Sequence, residues 1–209
     1  MAGFNQFFDD WNDTKAWNYG VAVDQKFFKT IYGGAEYTFR DLDFVWLDRS
    51  TGISVGREEK WKEYTGRGYL YWTPHKWVGL SAEYLYERIK REIEFSLGVK
   101  EVQTHRVPLG ITFFHPCGFS AMFKASYVNQ HGTFERQNPF PTGVFERGDD
   151  QFWLLDTAIS YRLPKRYGFI SVGVKNLLNK HFKFFDVDYF NPTIKPDRFI
   201  YGKVTLALP

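Results

Sequence analysis

The chain contains a single cysteine, Cys117, so no disulfide can form within it. Its setting, His115-Pro116-Cys117-Gly118, reads as a turn, with nothing metal-like or nucleophilic beside it. No run of about 18 apolar residues occurs, which excludes a membrane-crossing helix. Charge of one sign is also missing: 27 Lys and Arg against 24 Asp and Glu leave a net charge of +3. That balance, spread along the chain without a basic block, excludes a nucleic-acid surface. Met1 to Asp10 lacks a basic start followed by an apolar stretch, so it is not a secretory signal peptide. No Ser/His/Asp set, Gly-rich phosphate loop or paired-carboxylate motif appears, which leaves enzyme readings, an outer-membrane phospholipase among them, without residues to carry them. No cofactor is implied, and the histidines at 75, 105, 115, 131 and 181 lack metal-ligand spacing.

Aromatic rings are abundant instead. The chain has 22 Phe, 13 Tyr and 7 Trp, 20% of its residues. A transmembrane barrel uses rings in this quantity, because they line both water–lipid interfaces.

The rings fall into a period of two. Trp17, Tyr19, Val21 and Val23 alternate with Asn18, Gly20, Ala22 and Asp24. The pattern returns at Ala35 to Arg40, Tyr64 to Trp72, Val78 to Glu87, Arg106 to Phe113, Phe119 to Tyr127, Trp153 to Arg162 and Ile170 to Lys175. It ends with Arg198 to Leu208, where Ile200, Gly202, Val204, Leu206 and Leu208 oppose Tyr201, Lys203 and Thr205. No helical period competes. Charges fall almost wholly on the small, polar side of each segment, as expected where Lys or Arg facing lipid costs about 2–4 kcal/mol. Pro108 lacks a ladder donor, and a local bulge is expected there.

Connections alternate in length. Short ones are predicted at Phe28–Thr30, Pro74–Lys76, Pro116–Cys117 and Pro164–Arg166, and long ones at Asp48–Glu58, Arg91–Lys100, His131–Asp150 and Leu178–Pro196. Tight turns at one end and long loops at the other are the plan of outer-membrane barrels. The predicted fold is therefore all-β: an antiparallel up-and-down transmembrane β-barrel. About nine strands are present, an odd number, whereas bacterial barrels use even ones. Residues 1–209 are accordingly expected to be a single partial domain, the C-terminal part of a larger barrel. Residues 1–15 would be the remnant of an extracellular loop and 16–209 the meander of membrane strands.

The segment Gly173-Val174-Lys175-Asn176-Leu177-Leu178-Asn179-Lys180, with Phe182 after it, resembles the penultimate-strand motif of TonB-dependent outer-membrane receptors. Pro196-Asp197-Arg198 before Phe199 is similar to the Pro/Gly-Arg that precedes the last strand in that family. The specific likeness covers about forty residues, and its chemistry is structural: Lys175, Asn176, Leu177, Asn179 and Arg198 shape the strand end, with Asn capping it. The chain departs from the family in ending Leu208-Pro209 rather than in Phe, in lacking the plug and TonB box, and in lacking most of about 22 strands. The resemblance implies location in the bacterial outer membrane and energy-coupled uptake of a scarce ligand such as a siderophore. The implied partners are outer-membrane lipid, a plug domain, N-terminal barrel strands and the TonB complex. A passive porin, an export barrel with another N-terminal module, and a soluble β-barrel carrier with its rings turned inward are the alternatives.

Lumen-side Arg67, Glu83, Lys124, Asp156, Arg162 and Lys203 are the candidates for contact with a ligand or plug; the plainer reading is a charge ladder between neighbouring strands. Glu146, Asp149 and Asp150, with Asp186 and Asp188, form an acidic group that reads as solvated loop charge before it reads as a Ca²⁺ site. No metal site is expected.

Overall fold

β-Branched and aromatic residues at alternate positions suit a pleated surface with one apolar side, and every such segment is a strand. The computed structural model describes residues 14–48, 54–92, 99–137, 141–185, 193–194 and 197–206. Its strands are β1 (Lys15–Lys26), β2 (Ile31–Asp48), β3 (Val55–His75), β4 (Val78–Arg91), β5 (Val99–Phe114), β6 (Phe119–Gln137), β7 (Pro141–Arg162), β8 (Gly168–Lys175), β9 (Phe184–Phe185), β10 (Thr193–Ile194) and β11 (Phe199–Leu206). Nine form one sheet in the order β1-β2-β3-β4-β5-β6-β7-β8-β11, each antiparallel to its neighbour. β9 and β10 pair separately as a small hairpin. The fold is all-β and up-and-down, as predicted, and the sheet is open: β1 and β11 are its edges. Among the described residues no helix is long and apolar enough to cross a membrane.

The register turns the alternation of single strands into continuous rows. One face carries Ile31, Trp72, Leu80, Ile111, Phe123, Thr157, Val174 and Ile200 side by side. Gln25, Gly33, Leu70, Ala82, Leu109, Ala125 and Leu155 form the next row. Towards the other end come Val78, Phe113, Ala121, Ile159, Val172 and Gly202. These rows hold no charge, and their large side chains are open to the surroundings: Phe123 is 45% exposed, Ile159 60% and Val172 58%. The charges predicted to avoid this face do avoid these rows, but they return at its far end. There Asp41, Lys62, Lys90 and Glu101 lie in register.

The opposite face carries the polar residues, and most of the burial. Leu42, Phe44 and Trp61 form one buried apolar cluster, and Ile89, Val99, Val102 and Phe134 another. Both lie on the polar face near the long connections, where Trp61 meets Phe44 edge-on at 4.7 Å and Arg91 lies over its ring at 3.8 Å.

Two expectations about the backbone are corrected. His131–Asp150 is not a long loop: β6 continues to Gln137 and β7 begins at Pro141, paired in register from His131 with Asp149 to Glu135 with Phe145 and, after an irregularity, at Gln137 with Pro141. A strand pair whose side chains bury Phe134 gains more than the same residues would as a solvated loop. Nor does Pro108 make a bulge. It pairs in register with Ser126 of β6, while on the β4 side the ladder lapses at Glu83 and Tyr84 and resumes without a shift. The missing donor is accommodated by omitting bonds on one side only. The irregularity in β5 sits instead between Val99 and Glu101.

The short connections follow the prediction. Lys76 and Trp77 turn β3 into β4, and residues 115–118 turn β5 into β6. A 3-10 turn at Pro164–Arg166 leads into β8 through Gly168 at φ +137°. A Cβ on Gly168 would sit 1.8 Å from the Thr205 carbonyl oxygen, so this left-handed position also needs the absence of a side chain.

Candidate functional site

The apolar face ends in rings on both sides. At the long-connection end Tyr19, Phe39 and Tyr64 lie in one row, with centroids 6.2 Å and 5.0 Å apart. Tyr127 and Trp153 meet at 5.2 Å, and Tyr84 Oη lies 2.7 Å from His105 Nδ1. At the short-turn end Phe119 and Tyr161 meet at 4.7 Å, and His75 packs on Trp77. Between the Tyr127 and Phe119 rows the strand spans roughly 27 Å at about 3.4 Å per residue. A strand tilted by about 40° would carry that stretch across most of the ~25 Å apolar band of an outer-membrane barrel.

The polar face holds the candidate side chains. Arg67 and Glu83 come together: Arg67 donates through Nε at 3.3 Å and Nη2 at 3.1 Å to Glu83 Oε2. Tyr71 donates to Glu83 Oε1 at 2.7 Å, and Glu36 lies 3.9 Å from Arg67. Tyr69 donates to Asp24, and its ring lies under the Arg67 guanidinium at 4.8 Å. The Tyr32 ring lies 6.0 Å from that of Tyr69, and Asp24, Tyr32, Tyr69 and Tyr71 were not among the candidate residues. The alternate spacing of Arg67, Tyr69 and Tyr71 is the signal that places them on one face.

The other candidates do not join that cluster. Lys124 and Asp156 are register partners on β6 and β7, and Asp156 Oδ1 accepts the Asn176 N–H at 2.9 Å. Arg162 is exposed near the short turn, where its backbone N–H donates to Gly118 O at 2.9 Å. Lys203 is exposed opposite Ser171. The six thus share a face but not a pocket.

The motif residues are more tightly organised. Asn176 is buried with φ +50°, a left-handed conformation Asn tolerates. Its Oδ1 accepts the Lys180 N–H at 2.8 Å and its Nδ2 donates to Lys180 O at 2.9 Å. Asn179, also at φ +50°, accepts the Arg198 N–H at Oδ1, 2.9 Å away. The Leu177 N–H donates to Leu155 O at 2.7 Å. Asn176 thus closes the turn at the end of β8, and its backbone N–H is held by Asp156, which sequence reasoning placed among the lumen candidates. Beside this turn lies an open cleft of about 550 Å³ between Leu154, Asp156, Lys175, Phe182, Arg198 and Phe199.

The acidic group is dispersed. Glu146, Asp149 and Asp150 are strand residues of β7, with Asp149 on the opposite face from the other two; Asp186 and Asp188 lie outside the described residues. Among the described residues no group of three His, Cys, Asp or Glu could hold a metal ion. His105 and His131, scattered in sequence, stack at 6.4 Å at the edge of the apolar face.

No protein family, curated protein or solved structure matches this chain.

Proposed function

We propose that the sheet is a membrane-spanning part of an outer-membrane transport barrel, its apolar face in lipid and its polar face lining the lumen. The observation that carries this reading is the uncharged apolar belt, edged by rings at both ends and followed by a charged rim. Exposed apolar patches on soluble monomers rarely exceed a few hundred Å², whereas this belt runs across the sheet. Within that reading, the Gly173–Lys180 segment and its Asn176 cap favour a receptor of the TonB-dependent kind. Such a receptor would take up a scarce ligand such as a siderophore, with a plug domain, further strands and the TonB complex as its partners.

Single-tryptophan variants in bilayers of brominated lipid test the membrane step. Trp72 and Trp153, on the apolar face, are expected to be quenched, and Trp61, on the buried polar face, is not. A chain that stays soluble without detergent and shows no difference between these tryptophans would sink the membrane reading. Uptake of a ferric siderophore by cells with the gene intact or deleted tests the transport step. The expected uptake is lost on deletion and on adding an uncoupler. Passage that an uncoupler leaves untouched would assign a passive pore.

A further inference from the structure

Charge balances along the chain but not across the sheet. No Asp or Glu occurs in 25–35, 64–82, 102–134, 157–185 or 198–209, and these stretches hold all the short turns with the strand ends beside them. Closest to the turns come Asp24 and Glu83, on the polar face, and both are engaged: Asp24 by Tyr69, Glu83 by Arg67 and Tyr71. Cations do reach this end. Lys29, Lys76 and Lys165 stand in the turns, with Lys26 and Arg162 beside them, all exposed. Among the described residues none of them has a carboxylate partner. The rim at the long-connection end differs, for there Asp41 and Glu101 flank Lys62 and Lys90.

The short turns form one continuous edge. Each is tied to the next by a backbone hydrogen bond: Thr73 N–H to Thr30 O at 2.9 Å, Phe114 N–H to Trp77 O at 2.8 Å and Arg162 N–H to Gly118 O at 2.9 Å. Rings stand out along it, with Phe28 69% exposed, Trp77 46% and Tyr167 47%. Lys76 Nζ lies 5.7 Å from the centre of the Trp77 ring, which also meets His75 at 5.5 Å and His115 at 6.5 Å. Exposed rings beside lysines suit a bilayer boundary, where the ring lies among the upper acyl chains and the ammonium at the level of the phosphates. Two headgroup chemistries differ at such an edge. A zwitterionic headgroup brings its own ammonium, which finds no carboxylate here. An anionic one brings only negative charge, and each basic residue near it attracts it.

We propose that the short-turn edge is a docking surface for anionic phospholipids, with Lys29, Lys76 and Lys165 holding their phosphates. Its placement at a bilayer rests on the reading that the apolar face meets lipid; its charge does not.

The test labels Cys117, exposed in the third turn and the chain's single cysteine, with an uncharged fluorophore. The full chain is inserted into phosphatidylcholine vesicles holding a minor share of brominated phosphatidylglycerol or brominated phosphatidylcholine, the bromines high on the acyl chain. Phosphatidylglycerol is expected to quench as though enriched about fivefold over its share, the scale of one basic residue at an anionic surface. Phosphatidylcholine is expected to quench at its share, which also shows that each variant is inserted. Lys29→Gln, Lys76→Gln and Lys165→Asn together should remove the enrichment, Asn being suited to φ +54° at that position. High salt should weaken it, and Lys62→Gln with Lys90→Gln, at the opposite rim, should leave it unchanged. Equal quenching by the two lipids in the unsubstituted chain, or enrichment indifferent to the three turn lysines, overturns the surface and leaves the membrane reading standing. Quenching by phosphatidylglycerol alone supports the surface and overturns the spanning reading; quenching by neither lipid overturns both. A response to inorganic phosphate or polyglutamate without enrichment of phosphatidylglycerol assigns the edge to a soluble anion and overturns the lipid.

Discussion

Asn176 and Lys180 clasp each other through two hydrogen bonds, Lys180 N–H to Asn176 Oδ1 at 2.8 Å and Asn176 Nδ2 to Lys180 O at 2.9 Å. Asn176 is buried and the clasp half-buried, and it closes the turn that leads from β8 towards the last strand. Asn176→Ala removes both bonds and places alanine at φ +50°. The expected loss is about 2 kcal/mol, from two lost half-buried hydrogen bonds and left-handed strain together. Asn176→Gly removes the bonds but not the conformation, so it should cost less. Urea unfolding in detergent micelles compares the two; equal stability of Asn176→Ala and the parent would show the clasp to be dispensable.

Phe123 occupies the middle row of the apolar belt, between Ile111 and Thr157. Phe123→Lys in lipid should destabilise the sheet by about 2–4 kcal/mol. At a half-exposed site facing water the same change would cost about 0.5 kcal/mol or less. Folding into bilayers, measured by the denaturant midpoint, separates the two environments.

Two ion pairs on opposite faces should differ in worth. Arg40 Nη1 lies 2.7 Å from Glu63 Oε2 on the polar face, with side chains 16% and 6% exposed. Arg88 and Glu101, at the rim of the apolar face, are 36% and 35% exposed. Arg40→Ala leaves a buried carboxylate without this cation and is expected to cost about 3 kcal/mol. Arg88→Ala should cost about 1 kcal/mol or less, with the smaller effect fading as salt is raised. Paired unfolding curves at low and high salt check the order.

Gly168 sets the approach of β8 to β11. With φ +137° and a Cβ position 1.8 Å from Thr205 O, Gly168→Ala must push the last strand away. The expected outcome is loss of amide protection along Phe199–Leu206 while β2 to β6 stay protected, read by hydrogen exchange. Unchanged protection in β11 would refute it.

Much of this was legible in the residues themselves. Alternation at Val78 to Glu87 or Phe119 to Tyr127 assigns both the strand and its two faces, because a period of two allows no other arrangement. Proline and glycine marked the short turns, since they restrict the backbone locally. The charge-poor ring face was legible for the same reason. The extensions of β6 and β7 were not, because Glu135, Arg147 and Asp149 look like loop residues one strand at a time. Only their partners across the hairpin show them paired. Pro108 misled for a related reason: a missing donor matters only on the side where a neighbour would have accepted it.

Sequence alone determined the nine strands of the main sheet, the short turns between them and which side of each strand is apolar, all consequences of short-range periodicity and turn chemistry. Tertiary structure decided what depends on register. It joined Arg67 and Glu83 while leaving Arg162 and Lys203 apart, and gave Asp156 to the Asn176 turn. It also brought Phe182 onto Phe152 across a long sequence gap. Such contacts depend on which residues oppose one another across strands, and a chain read from end to end carries that information only once the strands have paired.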